Sequence, residues 1–141
     1  IDWVAHGFEI VQSIYPGWAF AAADCIADGG LHGALLVGPR RRLSDAERAC
    51  LAMDLSGLRI TLSRDGAALD AGSGANVLDG PVQALSHLVA VLADDPFNPP
   101  LAAGEMLTTG TMTRAFPVRP GETWATAIED YPLPGLSVTL L

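Results

Sequence analysis

Residues 58–92, LRITLSRDGAALDAGSGANVLDGPVQALSHLVAVL, carry the clearest secondary-structure pattern of the chain. Its first residues alternate between apolar and polar over 58–63, which is the period of a β-strand, and Asp65-Gly66 predicts a hairpin turn into a returning strand over 69–75. Its last part predicts a helix over 81–92, because a proline suits the first turn and apolar residues recur at helical spacing on one face. The centre of the chain therefore combines a β-hairpin with one clear helix.

The flanking sequence predicts further short strands around two weaker helices. An Ala-rich stretch at 19–27 predicts a short helix, and residues 43–53 predict a short helix or a turn, since Ser44 and Glu47 have the spacing of a capping box. Strands are predicted over residues 8–14, 31–37, 105–109, 115–118, 123–128 and 136–141. Strands that precede, interrupt and follow the clear helix favour an α+β fold, mainly β, of the irregular mixed β-sandwich or roll kind, with residues 1–141 as a single domain.

The composition predicts one core and additional buried surface. Half of the 141 residues are hydrophobic, which suffices for a single core. Charged residues make up only 17%, below the usual quarter, so we expect contact with another subunit or with a further part of the same polypeptide. The sequence begins at Ile1, inside an apparent element and without an initiator Met. We interpret it as a portion of a longer polypeptide.

The charge balance argues against several classes of partner. The net charge is −8, and all eight basic residues are Arg. An acidic chain without a basic face argues against nucleic acid and anionic membrane surfaces, and the absence of Lys excludes Schiff-base chemistry by this chain alone. Cys25 and Cys50 have neither disulfide-framework nor zinc-site spacing. No apolar run approaches a membrane span, so a cytoplasmic location is expected.

A few polar residues stand where chemistry could occur. Glu9 lies within an apolar strand, where it is either solvated on an edge or neutralised by a partner such as Mg²⁺, Mn²⁺ or Ca²⁺. Asp28 follows Asp24 by four residues, so the two share a helical face, as ordinary helix acids or with one paired to a buried Arg. His32 precedes an apolar run and by itself favours a structural role. The same structural interpretation applies to the other two histidines, His6 and His87.

A hydroxyl-rich turn, Thr108 to Thr111, contains Thr109 and Gly110. Hydroxyl and backbone N–H groups at such a turn can bind a carboxylate or enolate oxygen. The signal is weak by itself, because Thr is common in strands.

Four blocks of sequence, taken in order, resemble one known family. The family patterns are "EIVDSR…DTVADN", "TGxGxxVLGxP", "LkaGdiilTG" and "pVkpGD", and their counterparts here are residues 7–11 with 24–28, then 72–81, 101–110 and 117–122. Together they resemble the 2-keto-4-pentenoate hydratase and 4-oxalocrotonate decarboxylase branch of the fumarylacetoacetate hydrolase superfamily, C-terminal portion, from about Gly7 onward.

The resemblance implies a metal-dependent lyase. It implies a mixed β-sandwich or roll and an Mg²⁺ or Mn²⁺ ion held by three acidic residues, of which the third matches Glu9. The other two come from an E-x-E motif that this chain lacks, and the family's catalytic Lys lies in the same preceding half. We therefore expect a missing N-terminal portion of the same polypeptide, and a homo-oligomer. The implied activity is a hydratase or decarboxylase of small 2-oxo or 2-hydroxydienoic acids from aromatic-compound degradation.

The chain departs from the family after Asp28. The family has Asn-Ala-Ser-Ser/Cys-Gly near the substrate, where this chain has Gly29-Gly30-Leu31-His32-Gly33. We predict that Gly30, Leu31, Thr109 and Gly110 contact substrate and that Asp28 and His32 are catalytic.

Two alternatives stay open. One is an acylpyruvate-type hydrolase of C–C bonds, in which His32 helps to activate water. The other is a non-catalytic β domain or incomplete fragment serving binding or assembly, which the missing E-x-E and Lys would suit.

Overall fold

The computed structural model describes residues 1–141 and contains eight strands and three α-helices. The strands are β1 (Trp3–Val4), β2 (Gly7–Val11), β3 (His32–Val37), β4 (Arg41–Arg42), β5 (Arg59–Arg64), β6 (Ala67–Ser73), β7 (Thr123–Glu129) and β8 (Ser137–Thr139). The helices are α1 (Ala22–Ala27), α2 (Asp45–Gly57) and α3 (Pro81–Ala93). None of them is long and apolar enough to cross a membrane.

The strands form one four-stranded antiparallel sheet and two separate pairs. The sheet has the order β6-β5-β7-β8, while β2 pairs with β3 and β1 pairs with β4. The predicted hairpin is confirmed: β5 and β6 are joined at Asp65-Gly66, whose φ angles of 51° and 82° are the two positive values that a tight hairpin turn needs. The mainly β fold with few helices is confirmed as well.

The buried apolar residues form two groups, one on the sheet and one around helix α2. Alternate residues of the central strand turn inward, so that Leu58, Ile60 and Leu62 are between 2% and 6% exposed. On the helix side, Leu51 and Leu55 pack with Leu43. Only 12 of the 141 residues are buried, so most apolar side chains lie at partly open surfaces.

Helix α2 is longer than the sequence predicted. It has 13 residues, the same length as α3, where the sequence predicted a short helix or a turn over 43–53. The predicted capping box holds its start: Ser44 Oγ accepts the Glu47 amide, and the Glu47 carboxylate accepts the Ser44 amide at 2.8 Å. Hydrogen bonds from the Ser44 hydroxyl and amide, followed by the contact with Arg41, lower the pKa of Glu47 to about 2. A fixed negative charge therefore stabilises the N-terminus of the helix.

The strands predicted over 105–109 and 115–118 are absent. The chain from 94 to 122 contains no strand, and it is tied to the hairpin by side chains instead. The Asp70 carboxylate accepts the Arg114 amide at 2.9 Å, and Asn76 Nδ2 donates to the Met112 carbonyl at 2.8 Å. The bonds from the Arg114 amide and guanidinium lower the pKa of Asp70. These separate side-chain hydrogen bonds hold the segment in place of strand pairing, so its apolar residues do not form a strand.

The glycine-rich block that follows the hairpin packs backbone against backbone. A Cβ on Gly74 would lie 1.7 Å from the Leu55 carbonyl oxygen, and one on Gly72 would lie 1.9 Å from the Met112 carbonyl oxygen. Gly80 starts α3 with φ of 149°, a conformation that favours glycine. These glycines allow helix α2 and the 101–116 segment to approach the hairpin closely.

Replacing Gly74 by alanine should therefore lower the free energy of unfolding by about 3 kcal/mol, because backbone atoms must move to admit the methyl group. The matched control is Gly57→Ala at the exposed end of α2, where a Cβ meets nothing within 4 Å. That change should raise stability by about 0.5–1 kcal/mol through helix propensity. Urea unfolding of both variants measures the contrast, and equal stabilities would contradict the packing argument.

Candidate functional site

A β-bulge brings His32 to the same face as Glu9. In the pairing of β2 with β3, Glu9 lies opposite Leu35 and Ile10 opposite Ala34, but Val11 lies opposite His32. Gly33 is thus the extra residue of the bulge. If β3 paired regularly, without this bulge, His32 would lie on the opposite face from Glu9, since side chains alternate along a strand.

Glu9 and His32 form a direct contact on this face. His32 Nδ1 lies 3.1 Å from Glu9 Oε1, and the two side chains are 50% and 45% exposed. No protein group donates a hydrogen bond to Glu9 Oε2. The sequence left two states open for Glu9, solvated or neutralised by a partner; the carboxylate is half solvated and has an imidazole beside it.

Gly33 is required for the bulge because of its close contacts. A Cβ at this position would lie 2.8 Å from the Ile10 carbonyl oxygen and 3.3 Å from the Gln12 side chain. The carbonyl belongs to the neighbouring strand and cannot move without disturbing the pairing. Glycine here therefore positions the histidine before it.

The turn from Asp28 to Leu31 leads into His32. The Asp28 carboxylate accepts the Ile14 amide at 3.1 Å, and the Leu31 carbonyl accepts the Gln12 amide at 2.9 Å. Gly30 and Leu31 both have positive φ, 71° and 63°. That conformation costs a non-glycine residue about 1–2 kcal/mol. Asp28, Gly30 and Leu31 thus hold the turn that precedes His32.

A wide cleft of about 840 Å³ runs between β2, β3, the four-stranded sheet and the 101–116 segment. Its walls are mostly hydrophobic, and they include Glu9, Thr109 and Gly110. His32, Asp28, Gly30 and Leu31 are not among the lining residues, although His32 contacts Glu9. The structure therefore brings three of the predicted residues to one cleft and a fourth to its edge.

The turn at Thr109 and Gly110 presents free hydrogen-bond donors to the cleft. No protein acceptor pairs with the amide of either residue, or with the Thr109 hydroxyl. Gly110 also lies against buried Val77, whose Cγ1 would be 3.5 Å from an added Cβ. A carboxylate or enolate oxygen that enters the cleft could accept hydrogen bonds from this turn.

His6 is a buried residue that lines the same cleft, a position that the sequence did not predict. It is 8% exposed, and its Nε2 lies 2.9 Å from Thr126 Oγ1. The Thr126 hydroxyl also accepts the Leu136 amide at 2.9 Å. Burial lowers the pKa of His6, so the ring is neutral near pH 7. Its structural role was predicted, but its place in the cleft depends on β7, which is 120 residues away in sequence.

The cleft offers Glu9 as a carboxylate ligand for a divalent cation. No group of three or more His, Cys, Asp or Glu side chains could hold a metal ion. Glu9 fits a cation as a single carboxylate ligand, since its Oε2 has no partner and its side chain is half exposed. An Mg²⁺ ion usually keeps several waters and takes one or two protein carboxylates.

Comparison with known proteins points to one class. No protein-family model matches the chain. The curated proteins similar to it are hydratases and decarboxylases, as the sequence blocks indicated. The resemblance of the chain to 2-keto-4-pentenoate hydratases and 4-oxalocrotonate decarboxylases is therefore confirmed.

Two curated relatives illustrate the similarity. The 2-hydroxyhexa-2,4-dienoate hydratase of Comamonas testosteroni is 28% identical over 91% of this chain and 46% of its own length. A 4-oxalocrotonate decarboxylase of a Pseudomonas species is 30% identical over 86% of this chain and 43% of its own. The chain therefore spans about half the length of the curated relatives that it matches.

A solved structure shows the same fold. The 4-oxalocrotonate decarboxylase from Pseudomonas putida G7, complexed with magnesium and adipate, superposes with a TM-score of 0.83 at 27% identity. The superposition covers 99% of this chain and 49% of that protein. The same enzyme complexed with calcium and acetate gives a TM-score of 0.79.

Gly33→Ala should separate His32 from Glu9, because the methyl group cannot fit against the Ile10 carbonyl and the bulge must rearrange. We expect a loss of about 1–3 kcal/mol in unfolding free energy and a shifted His32 ring resonance in NMR spectra. Gly57→Ala serves as the control and should leave that resonance in place. An unchanged His32 resonance in Gly33→Ala would rule out this role for the bulge.

The buried neutral His6 should make stability depend on pH. An unfolded histidine takes up a proton near pH 6.5, whereas folded His6 does so only at lower pH. Acid therefore favours the unfolded state, and the free energy of unfolding should fall as pH drops from 7 toward 5. His6→Gln should flatten this fall, while His87→Gln on exposed α3 should keep the wild-type slope. Thermal unfolding across this pH range checks both, and equal slopes for the two variants would contradict the assignment.

Proposed function

We propose that this chain forms part of a divalent-metal-dependent lyase, a hydratase or decarboxylase that acts on small 2-oxo or 2-hydroxydienoic acids of aromatic-compound degradation. The observation that carries the proposal is the half-exposed Glu9 carboxylate, which lines an apolar cleft and keeps one oxygen free of protein partners. The sequence similarity to hydratases and decarboxylases supports the reaction class. The magnesium and calcium complexes of the similar decarboxylase support a divalent cation.

Glu9 would supply one carboxylate ligand to Mg²⁺ or Mn²⁺. When bound, such a cation would act as a Lewis acid that polarises a 2-oxo acid. The remaining carboxylate ligands would come from outside these 141 residues. An E-x-E pair in a preceding part of the polypeptide, as the family resemblance implies, would complete the set.

The residues of this chain would bind the substrate and control its surroundings. The free amides and hydroxyl at Thr109-Gly110 would donate to a substrate carboxylate or enolate oxygen. Adipate and acetate, which are bound in the structures of the similar decarboxylase, are carboxylates, and this supports a carboxylate ligand. The apolar walls formed by β5 and β7 would exclude water and strengthen these polar contacts.

His32 and Asp28 would have different roles. His32 lies within hydrogen-bond distance of Glu9 and is half exposed, so a group at the reacting centre could reach it. Asp28 would act indirectly, because its carboxylate is bonded to the Ile14 amide in the turn before His32. Gly30 and Leu31 would contribute to substrate binding through the shape of that turn.

The relatives' names do not favour the two alternatives, an acylpyruvate-type hydrolase and a non-catalytic β domain. Homo-oligomeric assembly and a cytoplasmic location stay predictions, as does the organisation of residues 1–141 as a single domain. Assays with a dienoate and with 4-oxalocrotonate as substrates would distinguish hydration from decarboxylation.

Glu9→Ala in the full-length protein should lower Mg²⁺- or Mn²⁺-dependent turnover about 100-fold or more, because the cation loses a direct ligand. Turnover is followed by the loss of ultraviolet absorbance of 2-hydroxypenta-2,4-dienoate and by release of CO₂ from 4-oxalocrotonate. Glu129→Ala is the matched control, since Glu129 is an exposed strand carboxylate that pairs with Arg59 outside the cleft. Undiminished metal-dependent activity in Glu9→Ala would remove Glu9 from the site.

A further inference from the structure

We propose that His32 is a second metal ligand beside Glu9, so that the site takes one imidazole nitrogen and prefers later divalent transition metals, such as Co²⁺, to Mg²⁺. The inference rests on the proposed function, because it needs a cation at Glu9. It goes beyond that function in naming a nitrogen donor and a different metal preference.

The separation of the two donor atoms suits a shared cation. Two ligands at right angles, each about 2.1 Å from a metal, lie about 3.0 Å apart. His32 Nδ1 and Glu9 Oε1 are 3.1 Å apart. A cation can therefore bind both atoms with only small movements of either side chain.

The surroundings leave both groups available to a cation. The two side chains are about half exposed, and their only protein hydrogen bond is to each other. A carboxylate oxygen accepts, so Nδ1 is the donor in this contact, and metal binding through Nδ1 would require the imidazole tautomer with its proton on Nε2.

The backbone holds the histidine in place before any metal arrives. The bulge at Gly33 turns His32 onto the face of Glu9, and Gly33 has no room for a side chain. The preceding turn keeps Leu31 at a φ of 63°, a conformation that the rest of the turn must enforce. A preorganised donor pair of this kind is what selective metal binding requires.

The nitrogen donor determines which metal the pair favours. Oxygen-only sites suit Mg²⁺, whereas imidazole suits later first-row ions, and affinity rises from Mn²⁺ toward Cu²⁺ for a given mixed site. A pair made of one carboxylate and one imidazole should therefore raise the affinity for Co²⁺ much more than that for Mg²⁺.

His32→Asn separates ligation from positioning. The Asn amide can still donate to Glu9 from nearly the position of Nδ1, but it provides no imidazole nitrogen. If His32 is a ligand, this variant of the full-length protein should lose at least about 10-fold in Co²⁺ affinity while its Mg²⁺ affinity changes little. Its Co²⁺ visible absorption spectrum should also lose the signature of nitrogen ligation. His87→Asn on exposed α3 is the control for removal of a histidine.

Titration calorimetry with Co²⁺ and Mg²⁺ alone, together with Co²⁺ absorption spectra, provides the readout. A wild-type Co²⁺ spectrum and unchanged Co²⁺ affinity in His32→Asn would overturn the proposal and leave His32 as a residue that orients Glu9. Failure of the proposed function looks different. In that case Glu9→Ala would bind both metals as tightly as the wild type.

Discussion

The pairing of the central strand β5 with both of its neighbours determines where the other elements lie. The strand pairs along its whole length with β6 on one side and β7 on the other, and its inward side chains are among the most buried in the chain. Helix α2 leads directly into it, and the glycine block that follows the hairpin packs against the end of that helix. Because β7 carries Thr126, which contacts His6, the position of β5 also determines where β2 approaches the sheet. Glu9 follows His6 by three residues, so its place depends on this chain of contacts.

The sequence predicted those elements that depend on interactions between residues close together in the chain. The alternation in β5, the positive-φ turn at Asp65-Gly66 and the apolar face of α3 all act within a few residues. Helix α2 was underestimated because its apolar pattern is weak, while its stability comes from the cap at Ser44 and from burial of Leu51 and Leu55. The strands expected near residues 105–118 were wrong because the anchors at Asp70 and Asn76 are distant in sequence and leave no periodic signature.

The candidate site was predictable in part. The residue types at Glu9, His32 and Thr109 indicated possible chemistry, but residue type does not show which of them meet. The contact between Glu9 and His32 depends on a single extra residue in β3, and regular alternation would have separated the two side chains. The burial of His6 depends on a threonine 120 residues away. Bulges and long-range contacts of this kind require the folded structure.

The anchoring of the 101–116 segment has a consequence for motion in the cleft. This wall carries Thr109 and is held by the side chains of Asp70 in β6 and of Asn76 in the turn that follows β6, whereas every residue of β5 is paired on both sides. Displacing the wall breaks a few separate bonds, and displacing β5 breaks the whole sheet. The amide hydrogens of Thr109 and Gly110, which have no protein acceptor, should therefore exchange with solvent directly, and those of β5 only through global unfolding. The cleft thus has one rigid side and one side that can move more easily.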